Sequence, residues 1–138
     1  MGCRKVILLD THVLVWLSEG NSKLGSESVS LIDNALKKNE LFVSSISFWE
    51  VAMLVEKRRI DLLMNVQLWR RSLIDNGIQE IDLRGDIAIE SALLPNFHGD
   101  PADRIIVATA QQMTMSLCTA DEKILNWQSK LLRINAKG

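Results

Sequence analysis

The chain has 138 residues, 47% of them hydrophobic, and its 16 basic and 17 acidic residues give a net charge of −1. This length allows one good core and is too short for two, so we predict a single domain over residues 1–138. The near-neutral charge excludes the strongly basic class of nucleic-acid-binding proteins. The local basic clusters at 57–59 and 70–71 are each typical of a solvated helix face.

The cysteines and the apolar amino-terminal segment indicate the cellular compartment of the protein. Cys3 and Cys118 fit no zinc spacing, and a single possible pair is a poor disulfide framework. The apolar run before Asp10 is too short for a signal peptide or a membrane span. We therefore expect a cytoplasmic protein with no membrane association.

Apolar runs of strand length alternate with amphipathic helical stretches along the whole chain. The first run, KVILL, is continuously apolar and ends on an acid, as in a strand buried on both faces that leads into a helix. In chain order the sequence predicts strand 5–9, helix 11–19, helix 26–38 capped by Ser26, strand 40–44, helix 46–58, helix 67–74, strand 78–83, helix 86–94, helix 100–113, strand 115–119, helix 122–127 and strand 131–135.

This alternation predicts a three-layer α/β/α domain with a mostly parallel five-stranded sheet and right-handed crossovers. Ligands of such sheets bind in the crevice beyond the carboxyl ends of the strands. Five acidic residues fall where they can face that crevice. They are Asp10 after the first strand, Glu50 in the helix after the second, Asp100 and Asp103 at a helix start, and Asp121 after the fourth strand.

Each acid also has a structural interpretation. Asp10, Asp100 and Asp121 can cap helices, and Pro101 strengthens the helix start that follows Asp100. Glu50 stands among apolar neighbours in FWEVAMLV, where a lone carboxylate is costly unless a cation or a raised pKa compensates, or unless it reaches solvent beside Lys57. The convergence of all five favours a shared site.

Such a site suits Mg²⁺ or Mn²⁺, which prefer carboxylates, water and phosphate oxygens as ligands. Metal-assisted hydrolysis of a phosphodiester bond leaves 5′-phosphate and 3′-hydroxyl ends, because the attacking group is water. His12 and His98 are too few and too distant in sequence to suggest a metal-free histidine mechanism. No glycine-rich phosphate loop, GxSxG or HExxH motif occurs.

The four tryptophans occupy apolar helical positions. Indoles can stack on nucleic-acid bases, but at such positions they more often belong to the core or to a dimer interface. We therefore expect core or interface roles for Trp16, Trp49, Trp69 and Trp127.

Four ordered segments resemble the PIN-domain family, and most closely its VapC-type toxin ribonucleases. They are LLDTHVLVWL at 8–17, VSSISFWEVAML at 43–54, LPNFHGDPADRIIVATA at 94–110 and LCTADEKIL at 117–125. The resemblance covers nearly the whole chain. It implies a metal-dependent endoribonuclease that cleaves single-stranded regions of RNA, uses Mg²⁺ or Mn²⁺, forms a homodimer and is neutralised by a small antitoxin whose carboxyl-terminal segment covers the pocket.

Residue by residue, the resemblance assigns catalysis and metal binding to Asp10, Glu50, Asp103 and Asp121. Asp100 matches an extra acid of this branch, either a metal ligand or a helix cap. Substrate contacts are expected from Thr11, Arg104 and Thr119. The sequence departs from relatives at LVEKRRIDL after FWEVAM and at Ala120 in TADE, and neither change removes an acid. The alternative function is a catalytically weak PIN domain that acts as a binding or scaffold module.

Overall fold

A computed structural model describes residues 6–138, and its centre is one five-stranded sheet with the strand order β3-β2-β1-β4-β5. Every neighbouring pair of strands is parallel. The predicted fold class is therefore confirmed, and the sheet is parallel throughout rather than mostly so. The strands are β1 (Ile7–Leu9), β2 (Leu41–Ser44), β3 (Gln79–Ile81), β4 (Ser116–Thr119) and β5 (Arg133–Asn135).

Helices fill the connections between the strands, as right-handed crossovers of a parallel sheet require. None of the helices in the described part of the chain is long and apolar enough to cross a membrane. The helices are α1 (Thr11–Glu19), α2 (Ser26–Lys37), α3 (Ser45–Glu56), α4 (Val66–Asp75), α5 (Gly85–Ala92), α6 (Pro101–Gln112) and α7 (Glu122–Leu125).

The sheet separates two apolar cores, which explains why β1 is apolar at every position. Side chains alternate between the faces of a strand, and Ile7 and Leu9 pack into one core while Leu8 packs into the other. The first core includes residues of α1, α2, α3 and α4, and the second includes residues of α6 and α7. This arrangement makes the three layers of the fold.

The sequence located every element, and its errors lie at the ends. Helix α2 begins at Ser26 itself, with Gly25 as the capping residue and no side-chain cap, so the predicted cap at Ser26 is wrong. Strands β2 to β5 are one to three residues shorter than predicted, and Val6, also predicted as strand, precedes β1. Lys5, the predicted first residue of β1, and Cys3 lie outside the described residues.

The strand order places the functional crevice. From β1 the chain builds outward through β2 and β3 on one side, then returns to add β4 and β5 on the other. The carboxyl ends of β1 and β4 therefore flank the point where the strand order reverses, which is the usual binding crevice of open parallel sheets. Asp10 directly follows β1, and Asp121 lies two residues beyond β4.

Candidate active site

An acidic pocket of about 410 Å³ opens at the reversal point of the sheet. Segments far apart in sequence supply its walls, and all five acids singled out in the sequence reach it. Its lining residues are Asp10, His12, Trp16, Glu50, Asp100, Asp103, Ala120, Asp121 and Lys137.

Asp10 is the most buried acid of the pocket, with 6% of its surface exposed. It caps α1, and its Oδ1 accepts a hydrogen bond from the Thr11 backbone N–H at 2.8 Å. Its Oδ2 accepts from the Thr119 hydroxyl at 2.7 Å. Burial raises the pKa of Asp10 above its ordinary value, and these hydrogen bonds oppose the rise. The cap interpretation of Asp10 is thus correct, and the same carboxylate also lines the pocket.

Thr119, the last residue of β4, joins two of the acids. Its hydroxyl donates to Asp10 and accepts a hydrogen bond from the Asp121 backbone N–H at 3.0 Å. Asp121 in turn caps α7, where its Oδ1 accepts from the Lys123 backbone N–H at 2.8 Å. One buried hydroxyl therefore fixes the spacing between the Asp10 carboxylate and the Asp121 segment.

Glu50 projects from α3 into the pocket, and its surroundings suit a bound cation. Its Oε1 is buried, and no group in residues 6–138 forms a hydrogen bond with it. Burial is the main cause of its raised pKa. The nearby Thr11 hydroxyl opposes the rise, and the charges of Asp100 and Asp10 add to it. A buried oxygen without a partner is costly in a folded protein, and a bound metal ion would remove that cost.

Asp100 and Asp103 come from the first turn of α6. Asp100 caps the helix, and its Oδ1 accepts from the Asp103 backbone N–H at 2.8 Å. One carboxylate oxygen from each of Glu50, Asp100 and Asp103 lies within 4.8 Å of the other two. Burial and then the charge of Asp100 raise the pKa of Asp103 to about 7, with smaller contributions from Asp10, Asp121 and Glu50. Like charges this close destabilise one another unless a cation or a proton joins them.

The donor set suits a hard divalent cation. It consists of carboxylate oxygens, it includes a buried oxygen with no other partner, and the charges of neighbouring acids contribute to the raised pKa values of Glu50 and Asp103. The tightest group is Glu50, Asp100 and Asp103. Asp10 and Asp121 line the same pocket but lie outside that group.

The three residues expected to contact substrate are engaged in other interactions. Arg104 donates to four carbonyl oxygens. Two belong to the last residues of α5, Ser91 at 2.8 Å and Ala92, and two belong to Leu94 and Phe97 in the connection between α5 and α6. Thr11 is 1% exposed and donates to the Ser47 hydroxyl at 2.9 Å, and Thr119 is fully buried. Direct substrate contact by these side chains stays a prediction, and their surroundings favour a supporting role instead.

The pocket also contains a cation that no sequence motif indicated. Lys137 lines the pocket two residues beyond the end of β5. Because β5 is parallel to its neighbours, its carboxyl end meets the same edge of the sheet as those of β1 and β4. The rule that located Asp10 and Asp121 would have located Lys137, had it been applied to the fifth strand.

Comparisons with known proteins agree with this geometry. Residues 7–128 match the PIN domain family. The chain is 35% identical over 119 residues to Ribonuclease VapC22 of Mycobacterium tuberculosis (strain ATCC 25618 / H37Rv), an alignment that covers 86% of this chain and 88% of the relative.

Two solved structures share the fold. A toxin-antitoxin complex from Klebsiella pneumoniae is 25% identical, with a TM-score of 0.61 and coverage of 91% of this chain and 95% of that one. VapBC2 from Rickettsia felis, bound to a DNA fragment from its promoter, is 16% identical, with a TM-score of 0.70 and coverage of 94% and 97%. With its parallel sheet, its acidic pocket and these matches, the chain belongs to the PIN domain family.

Proposed function

We propose that this protein is a Mg²⁺-dependent endoribonuclease that hydrolyses phosphodiester bonds in single-stranded regions of RNA. One observation carries the proposal. Carboxylates from four separate segments converge in one pocket, in a chain 35% identical to a protein named as a ribonuclease. Mn²⁺ is an alternative ion with the same ligand preferences.

The residues that would hold the ion are Glu50, Asp100 and Asp103, together with Asp10 and Asp121, which line the same pocket. Bound there, a divalent cation supplies charge neutralisation at the phosphate and lowers the pKa of a water molecule. The protein's own contribution is to hold the carboxylates in place. Thr119 fixes Asp10, and Arg104 fixes the connection that leads into α6 and hence the position of Asp103.

Lys137 gives the pocket a positive charge at its rim. A phosphate group that enters an acidic pocket is repelled by every ionised carboxylate, and a lysine ammonium offsets part of that repulsion. We infer that Lys137 contacts the RNA backbone next to the cleaved bond. This contact orients the substrate without taking part in proton transfer.

We further propose that the enzyme is the toxin of a toxin-antitoxin pair. The support is the similarity to Ribonuclease VapC22 and to a chain of the Klebsiella pneumoniae toxin-antitoxin complex. The proposal includes a small cognate antitoxin whose carboxyl-terminal segment covers the pocket, a homodimer, and a cytoplasmic location, which suits the free, buried Cys118.

The test uses purified protein freed of any antitoxin, total RNA and Mg²⁺, beside an EDTA control and the Asp10→Asn variant. We expect discrete cuts with 5′-phosphate and 3′-hydroxyl ends that disappear in both controls. Protein that binds Mn²⁺ in a separate titration but leaves all RNA uncut would instead support the binding-module alternative.

A further inference from the structure

A second groove, of about 280 Å³, adjoins the acidic pocket on the side of α3. Glu50 and Asp100 line both cavities, so the two cavities adjoin at these residues. A ligand chain whose phosphate lies at the carboxylates can therefore extend directly into this groove. The other lining residues are Trp49, Met53, Leu54, Lys57, Arg59, Pro101 and Ala102.

Trp49 is the unusual aromatic residue of the fold. It is 53% exposed, whereas Trp69 and Trp127 are 5% and 6% exposed and fill the cores. Trp69 and Trp127 therefore have the expected core role, whereas Trp49 lies outside the cores and the expected alternative for it, an interface role, stays a prediction. An exposed indole beside an acidic pocket offers a flat surface on which a base can stack.

Two cations stand at the same groove. Lys57 and Arg59 are exposed, and neither forms an ion pair with any carboxylate in the described part of the chain. Other surface arginines do form such pairs, as Arg70 does with Glu80 and Arg84 with Asp86. The charges of Lys57 and Arg59 thus remain available to an anionic ligand.

We propose that this groove binds the single-stranded RNA next to the cleaved bond, with one base stacked on Trp49 and the adjoining phosphates held by Lys57 and Arg59. The identity of the substrate rests on the proposed function above. The groove combines an aromatic surface, an apolar floor and free cations, which is the pattern of sites that bind single strands without reading sequence. Charge complementarity favours RNA over an apolar peptide, since a peptide would leave both cations unused.

The experiment measures binding of a fluorescein-labelled oligouridylate by anisotropy at several salt concentrations, in the presence of Mn²⁺. All proteins carry Asp10→Asn so that the probe stays intact. Trp49→Ala should weaken binding roughly 5- to 100-fold, the range expected for one lost base-stacking contact. Trp49→Phe keeps an aromatic face and should restore most of the affinity.

The salt dependence separates stacking from charge. Arg59→Gln should reduce the slope of log affinity against log salt by about 0.7, the value for one phosphate contact on a single strand. Arg58→Gln, at an exposed arginine outside the groove lining, is the matched control and should leave the slope unchanged. Trp49→Ala should lower the affinity without changing the slope.

Two results would overturn the subsite. One is an unchanged affinity in Trp49→Ala. The other is a loss of affinity that appears only together with dissociation of a dimer in sedimentation, which would make the groove an interface between two copies. Failure of the proposed function would give another result. Protein without Asp10→Asn would then bind the probe through Trp49 and still leave RNA uncut.

Discussion

At the residue scale, several side chains of the pocket serve structure and chemistry together. Asp10, Asp100 and Asp121 each cap a helix with one oxygen while facing the shared cavity. Capping orients a carboxylate through a fixed backbone N–H, so the helix start determines where the charge lies. Thr119 extends this principle, because its single hydroxyl contacts both the Asp10 side chain and the Asp121 backbone.

Replacement of Thr119 by valine tests that link. The change keeps the branched shape but leaves Asp10 Oδ2 without its hydrogen bond. We expect Mn²⁺ affinity or RNA cleavage to fall by about 10- to 100-fold, the usual effect of removing a group that orients a metal ligand. Thr119→Ser retains the hydroxyl and should stay close to the parent protein in both assays. Equal activity of the valine and serine variants would show that the hydroxyl has no such role.

The raised pKa of Asp103 predicts how the stability of the metal-free protein changes with pH. Its pKa is about 7 in the fold against an ordinary 3.8, so the folded state binds its proton more tightly than the unfolded state. The resulting stability is fully present below pH 4 and is lost as the pH rises through 7. In EDTA we therefore expect Tm to fall between pH 5 and pH 8.

The Asp103→Asn variant is the control for this effect, since the amide does not titrate. It should raise Tm at pH 8 in EDTA by a few degrees and flatten the pH profile. Part of the slope will remain, because the pKa values of Asp10 and Glu50 are also raised by burial. Identical pH profiles of Tm for the parent protein and Asp103→Asn would show that Asp103 does not cause this pH dependence.

At the element scale, the start of α6 shows which features a sequence can predict. Asp100, Pro101 and Asp103 form a strong helix start signal, and the helix begins at Pro101 as that signal requires. The role of Arg104 had no such signal. Its partners are backbone carbonyls at the end of α5 and in the connection that follows, and a backbone carbonyl is the same group whatever the sequence.

Two substitutions separate the two possible roles of Asp100, as a helix cap and as a metal ligand. Asparagine keeps the capping oxygen but removes the charge, so Asp100→Asn should preserve stability and weaken Mn²⁺ binding. Alanine removes both, and Asp100→Ala should also lower the free energy of unfolding by about 1 kcal/mol. Urea denaturation and calorimetric titration measure the two effects. A normal Mn²⁺ affinity in Asp100→Asn would leave Asp100 as a cap alone.

The exposure of Trp49, in contrast, could not be predicted from the sequence. Helix α3 is apolar around most of its surface, so the sequence pattern does not say which side faces the core. Burial is decided by how α3 packs beside α1, α4 and α6, and these contacts between distant segments leave Trp49 outside. The exposed indole therefore emerged only from the structure.

At the scale of the whole molecule, the alternation of strands and helices was sufficient to predict the fold class and the edge of the sheet that carries the site. It was not sufficient to predict the order β3-β2-β1-β4-β5, because a crossover can add a strand on either side. That order brings residues 109 positions apart, Asp10 and Thr119, into hydrogen-bond contact. The convergence of the acids is thus a property of the topology, and the family resemblance anticipated it.

The central claim is that distant carboxylates form one divalent-cation site. Calorimetric titration of Mn²⁺ into the parent protein and into Asp10→Asn, Glu50→Gln, Asp103→Asn and Asp121→Asn tests it most directly. Asp86→Asn, at an exposed acid outside the pocket, serves as the control. We expect each of the four pocket variants to weaken Mn²⁺ binding, whereas the control should bind Mn²⁺ as the parent protein does. Pocket variants that bind Mn²⁺ as tightly as the parent protein would contradict it.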